Sequence, residues 1–118
     1  MECFDPKIDR VVEIGERIYQ VNDKYYLRNF LNWDQQIRDW LASREKINLE
    51  PEHIFALEFL REEFDRKKVH PVVRTVTAEL GKQFGAEKGT VKYFHSLFPG
   101  GIHQAFLIAG LPMQDSCC

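Results

Sequence analysis

The residues with most obvious chemistry are the three cysteines, one at position 3 and two side by side at positions 117 and 118. A thiolate attacks disulfide and persulfide sulfur, and thiols in cores are inert by comparison. None of the three falls inside a periodic apolar stretch, where a structural cysteine packs. An odd count closes no complete disulfide framework. Adjacent α-carbons sit about 3.8 Å apart, below the roughly 4.4 Å lower bound for disulfides. A Cys117–Cys118 bond is therefore strained and easily reduced, serviceable as a resolving step and poor as a staple. The pair also lacks the spacer found between zinc-binding thiols. His53, His70, His95 and His103 show neither HxxxH nor HExxH spacing, so no metal and no cofactor is expected. Asp115 and a terminal carboxylate stand close to Cys117, and nearby negative charge raises a thiol pKa. Cys117 is thus expected to react slowly alone and to gain thiolate character beside cations. Arg74, Lys88 and Lys92 are the candidates on its own surface, with His103 near the root of the tail. Cys3 is read as an end thiol without a role.

The same cations permit a different reading. Arg74, Lys82, Lys88 and Lys92 surround a helix–turn–helix-like pair joined at Gly85–Gly89, a geometry that can place a helix in a DNA groove. The chain carries a net charge of −2, and four spaced cations make a weak phosphate footprint. A docking surface for the tail or for a protein partner ranks first, and DNA binding second.

These residues must be positioned by one domain. At 118 residues, 44% hydrophobic and 29% charged, the chain fits a single core, residues 1–118. No run approaches the roughly 18 apolar residues of a membrane span. Met1 to Asp9 lacks the apolar stretch of a secretory signal, so the cytoplasm is expected. Residues 1–10 read as loose. Val11 to Val21 alternates, Asn22-Asp23-Lys24 signals a turn, and Tyr25-Tyr26-Leu27 follows, giving a hairpin or two short strands. From Asn32, a plausible N-cap, Trp33, Ile37, Trp40 and Leu41 recur at helical steps to about Arg44. Pro51 opens a second helix with the stripe Ile54, Leu57, Phe59, Leu60 and Phe64, broken at His70-Pro71. A third runs through Val72, Val73, Val76 and Leu80 to Gly81 or Gly85. A fourth starts at Gly89-Thr90 and turns Val91, Phe94, Leu97 and Phe98 inward. A fifth covers about Ile102 to Ala109, bounded by Gly110 and Pro112. His53 and His95 are expected to be exposed. The fold class is mainly α (α+β): a compact helical domain with the helix-turn-helix-like pair, a small N-terminal β-hairpin, and a flexible C-terminal arm over 110–118.

Several segments together resemble the DsrC/TusE/DsvC family. Phe59-Leu60-Arg61-Glu62-Glu63-Phe64 is similar to its FLREYY segment, and His70-Pro71-Val72-Val73-Arg74 to its APAVR stretch. Gly85-Ala86-Glu87-Lys88-Gly89 and Lys92-Tyr93 resemble GxEKG and KYL. Leu97-Phe98-Pro99-Gly100-Gly101 resembles LFPxG. Ile108-Ala109-Gly110-Leu111-Pro112, followed by four residues and Cys117, resembles the IAGLP-x4-C tail. The resemblance runs in order from about Trp33 to the end. It implies a helical body with a mobile arm whose penultimate cysteine, here Cys117, accepts sulfur as a persulfide. It further implies a donor of the TusBCD/DsrEFH kind and, as acceptor, a tRNA-thiolation enzyme or a sulfite-reductase-like protein. DsrC-type members carry a second arm cysteine eleven positions earlier, where this chain has Phe106, so the TusE-like carrier is the closer pattern. The alternative is a paralogue that regulates by binding protein or DNA. His103 replaces a common lysine, and the stretch between Phe98-Pro99 and Gln104-Ala105 is one residue shorter than usual. Met113-Gln114-Asp115-Ser116 replaces KPTG. Cys118 replaces an apolar last residue and stands as the candidate resolving thiol.

Overall fold

The computed structural model describes residues 9–113. Two strands open it, β1 (Asp9–Ile14) and β2 (Arg17–Asn22), antiparallel from Asp9↔Asn22 to Ile14↔Arg17. The hairpin turns at Gly15-Glu16, where Gly15 takes φ 61°, a left-handed value free of Cβ cost only for glycine. The turn therefore falls inside the Val11–Val21 stretch, and β1 claims Asp9 and Arg10 from the segment expected to be loose. Alternation then sorts the side chains: Val12, Tyr19 and Val21 are buried, Val11 and Ile18 exposed. The Asn22-Asp23-Lys24 signal makes a second turn. The buried Asn22 side-chain carbonyl accepts from the N–H groups of Lys24 at 2.8 Å and Tyr26 at 3.0 Å. That turn brings Leu27 back to bridge Val21.

Five helices follow. α1 (Gln35–Arg44) is capped by Asp34, whose carboxylate accepts from the Ile37 N–H at 3.1 Å. Asn32 is not the cap; it closes a 3-10 turn, Phe30–Asn32, that precedes the helix. α2 (Pro51–Lys67) starts where Pro51 predicts. The His53 ring is buried rather than exposed. Its Nδ1 accepts from the Glu50 N–H at 3.0 Å, and its Nε2 lies 2.9 Å from the Leu97 carbonyl. Those two bonds require the Nε2–H tautomer and tie the start of α2 to the end of the fourth helix.

α3 (Val73–Phe84) ends at Gly85, and a 3-10 turn, Ala86–Lys88, leads to α4 (Val91–Leu97), which Thr90 caps. A Cβ on Gly89 would sit 2.8 Å from the Gly81 α-carbon. Only paired glycines let the connection fold so closely onto α3. Val91, at 39%, is exposed rather than inward, and Val72, at 63%, is exposed just ahead of α3 instead of lying within it. Both precede or open a helix, where the chain is still at the surface. α5 (Ile102–Ala109) ends at Gly110. α2 is the spine, with α3 and α5 against it, α1 across α5, and α4 against α3. Leu57, Leu60, Leu80, Phe94, Phe98, Phe106 and Ile108 fill the interior between them. No helix among the described residues is long and apolar enough to cross a membrane.

Candidate functional site

The site is the root of the C-terminal tail, and it begins with an unsolved problem in α5. The last carbonyls of any helix lack intrahelical donors. Ala105 to Ala109 are buried, so water does not serve these groups well. Side chains from two other elements supply them. The Trp33 indole N–H donates to the Ile108 carbonyl at 2.9 Å. Arg61 donates through Nη1 to the Ala109 carbonyl at 3.0 Å and through Nη2 to the Phe30 carbonyl at 2.8 Å. The guanidinium lies 3.8 Å from the Phe30 ring centre and 4.4 Å from the Trp33 ring, a stacked geometry that favours Arg over Lys. Burial lowers the Arg61 pKa to about 10, with Asp65 pulling the other way, so the group stays cationic at neutral pH.

Gly110 turns the chain out of α5 with φ 76°, and a Cβ there would overlap the Trp33 ring. The Gly110 N–H donates to the Leu107 carbonyl at 3.2 Å and the Leu111 N–H to the Phe106 carbonyl at 3.1 Å. Leu111 is fully buried. His70 Nε2 lies 2.7 Å from the Pro112 carbonyl, its ring flanked by Phe64 at 5.2 Å and Phe106 at 4.9 Å. The Asn22 amide lies 3.6 Å from the Met113 sulfur. Gly110–Met113, expected to start the arm, are thus fastened to the body. Cys117, Cys118 and Cys3 lie outside the described residues.

The other anticipated residues divide between two ends of the molecule. His103 is exposed on α5, its ring edge-on to Phe106 at 5.7 Å and its carbonyl 3.3 Å from the Tyr26 hydroxyl. Arg74 is exposed in the first turn of α3, four residues beyond His70. Lys88 is held elsewhere: its ammonium pairs with Glu52 at 2.6 Å. That hydrogen bond draws the Glu52 carboxyl down and the Lys88 ammonium up from their ordinary values. Glu52 and Phe64 stand twelve residues apart on α2, about 18 Å of helix. Lys88 and the His70 contact therefore sit at opposite ends of that spine. Lys92 is exposed in the first turn of α4. Phe106, at 1% exposed, carries no thiol and fills the gap between the His70 and His103 rings. No cluster of three or more metal-ligating side chains occurs among the described residues.

Sequence reasoning missed Trp33, Arg61 and His70. A signal existed for Arg61. It lies four residues after Leu57 and three before Phe64, inside the apolar stripe of α2, where a cation needs buried acceptors.

Comparison with known proteins gives the site its context. The family model "DsrC like protein" matches residues 13–118. The protein named sulfurtransferase TusE of Photorhabdus laumondii is 36% identical over 93 residues, covering 78% of this chain and 84% of that one. The NMR structure of Allochromatium vinosum DsrC is 35% identical, covers 94% of this chain and 100% of its own, and gives a TM-score of 0.82. The oxidized gamma-subunit of the dissimilatory sulfite reductase (DsrC) from Archaeoglobus fulgidus is 26% identical, covers 92% and 100%, and gives 0.84. With nearly its whole length matched by that model, and with its body superposing on both DsrC structures, this chain belongs to the DsrC-like family.

Proposed function

We propose that the chain is a sulfur carrier that accepts sulfur on Cys117 and hands it to a partner, in a relay leading towards tRNA 2-thiouridine synthesis. The observation that carries this reading is the fastened root: the body holds the chain down to Met113, and Cys117 follows four residues later. On this reading the thiol serves other proteins from just beyond the point where the body's hold on the chain is described. The relatives named sulfurtransferase TusE support the same assignment.

The chemistry is a balanced exchange. The Cys117 thiolate attacks the terminal sulfur of a donor persulfide. The new bond joins Cys117 sulfur to that atom, and the donor's S–S bond breaks. The donor leaves as a thiolate, and the transferred sulfur keeps its proton. No net oxidation occurs. The same step in reverse, with an acceptor thiolate, unloads the carrier. On this reading Arg74 and His103 are the residues that dock the arm or meet the partner, and Cys118 is the candidate resolving thiol.

The test is intact mass after incubation with a persulfide donor, with and without Cys117→Ser. A gain of one sulfur atom that vanishes in the variant is expected. A gain that survives the change moves the site to Cys118 or Cys3, and no gain at all removes the carrier role. A second reading, a regulatory module that binds protein or DNA, draws on the α3–turn–α4 pair and on Phe106 in place of the second arm cysteine. Salt-dependent binding to duplex DNA without sulfur loading would select it.

A further inference from the structure

The sulfur-carrier reading leaves open which part of the body a partner touches, and the surface around the tail's exit supplies an answer. Three residues separate Met113 from Cys117, and an extended chain spans at most about 3.6 Å per residue, so four steps carry the Cys117 α-carbon no further than about 14 Å from that of Met113. Any protein that exchanges sulfur with it must bring its own reacting sulfur inside that radius. A folded partner doing so covers the surface next to the exit.

That surface has a distinctive make-up. His70, which contacts the Pro112 carbonyl, is flanked by Val69, 60% exposed, and by Val72, 63% exposed. Pro112 is itself exposed. Val69 and Val72 bracket the His70-Pro71 pair in sequence, so three exposed apolar residues stand beside the contact where the tail leaves the described body. The rim is cationic. Between residues 63 and 74 stand Arg66, Lys67, Lys68 and Arg74 against Glu63 and Asp65. Glu63 is nearly buried and taken by Arg66 and Lys67, and Lys68 pairs with Asp65 across exposed surface at 3.4 Å. A surplus of positive charge remains here, on a chain whose net charge is negative. Apolar centre and charged rim are the anatomy of a transient protein interface.

We propose that Val69, Val72 and Pro112, rimmed by Lys68 and Arg74, form the docking face for the protein that donates sulfur to Cys117. That partner presents an apolar patch bordered by carboxylates. The complementary charges raise the encounter rate, and the apolar centre sets how long the complex lasts.

The experiment has two arms on the full-length protein. First, a photoreactive phenylalanine is placed at position 69 or 72, and at positions 11 or 18 as exposed apolar controls on the hairpin. Adducts formed in the source cells are identified by mass. The expected adduct at 69 and 72 is one protein, absent at 11 and 18, which carries a cysteine persulfide when purified. Second, that protein donates sulfur to the carrier and to its Val72→Glu variant, with cysteine persulfide as the small-molecule donor in parallel. Val72→Glu should slow transfer from the protein at least tenfold and leave loading by cysteine persulfide unchanged. Val72→Lys should slow it less.

Equal protein transfer in wild type and Val72→Glu overturns the docking face while leaving the carrier reading intact. Capture of a second copy of this chain or of nucleic acid at 69 and 72 also overturns it. Failure of cysteine persulfide to load wild-type Cys117 removes the carrier reading and this inference with it.

Discussion

Replacing Arg61 with methionine tests whether the tail's root is held by specific bonds or merely by apolar contact. Methionine keeps length and hydrophobic area but donates nothing. The change deletes two hydrogen bonds from a charged donor, to Ala109 and to Phe30. Bonds of that kind contribute about 1.5–3 kcal/mol each before offsets. Two carbonyls are left short of a partner, and the stacking over Phe30 and Trp33 goes. Against this, the cost of desolvating a guanidinium is relieved, the same cost that lowers its pKa. A net loss of about 2–3 kcal/mol results. For a domain of this length one kcal/mol moves the melting temperature by about 4 °C, so calorimetry should show a fall of about 8–12 °C. Hydrogen exchange at the Gly110 and Leu111 amides should accelerate more than at β1. Arg61→Lys should fall between, because one ammonium does not reach both carbonyls with stacked geometry. A melting temperature within about 3 °C of wild type for Arg61→Met, or full rescue by lysine, refutes the bonded-root argument.

Gly110→Ala should cost more than 2 kcal/mol, from about 1 kcal/mol of left-handed strain plus displacement of Trp33, read by urea unfolding. Tyr19 is buried and donates to Asp34 at 2.7 Å, and burial followed by that bond pushes its pKa from 10.0 to about 12. The folded chain keeps this proton where the unfolded chain loses it, so stability is full below pH 10 and falls as pH rises towards 12. Tyr19→Phe should flatten that slope in alkaline melts. At Asp34 burial pushes the carboxyl up, but Tyr19, the Ile37 N–H and Arg17 outweigh it and hold it low. Its stabilisation is therefore present above the ordinary carboxyl range and lost on acidification, and Asp34→Asn should shrink the acid limb of the stability profile. Lys88→Ala should lower the melting temperature slightly and leave sulfur loading of Cys117 unchanged, because its pair with Glu52 lies at the far end of α2.

Local punctuation was readable, and long-range contact was not. Pro51 and Gly110 mark helix ends by backbone geometry alone, and α2 and α5 begin and end close to where those residues predict. Asn32 and Asp34 are equally good caps by type. Which one serves depended on whether a 3-10 turn came first. The hairpin turn at Gly15-Glu16 was overshadowed by the stronger-looking Asn22-Asp23-Lys24 cluster, which makes the next turn instead. His53 is polar and sits at a helix start, so exposure was the natural expectation. Its burial follows from a carbonyl 44 residues away. Arg61 and Trp33 likewise find their acceptors 48 and 75 residues along the chain. Periodicity carries no information about such partners. Of the candidate site, the tail motif could be read directly, whereas the fittings that hold it could not.

The ring at position 106 has a consequence for cargo. A loaded carrier with a thiolate at that position would cancel itself: the thiolate would attack the Cys117 sulfur, close a disulfide and expel hydrosulfide. Phe106 offers no such exit and is sealed in by histidine rings on both sides. The only other thiols are Cys3 and the sterically awkward neighbour Cys118. On the sulfur-carrier proposal, position 106 gives no route for expelling loaded sulfur as hydrosulfide, which leaves that discharge to Cys118 or to a thiol of the recipient.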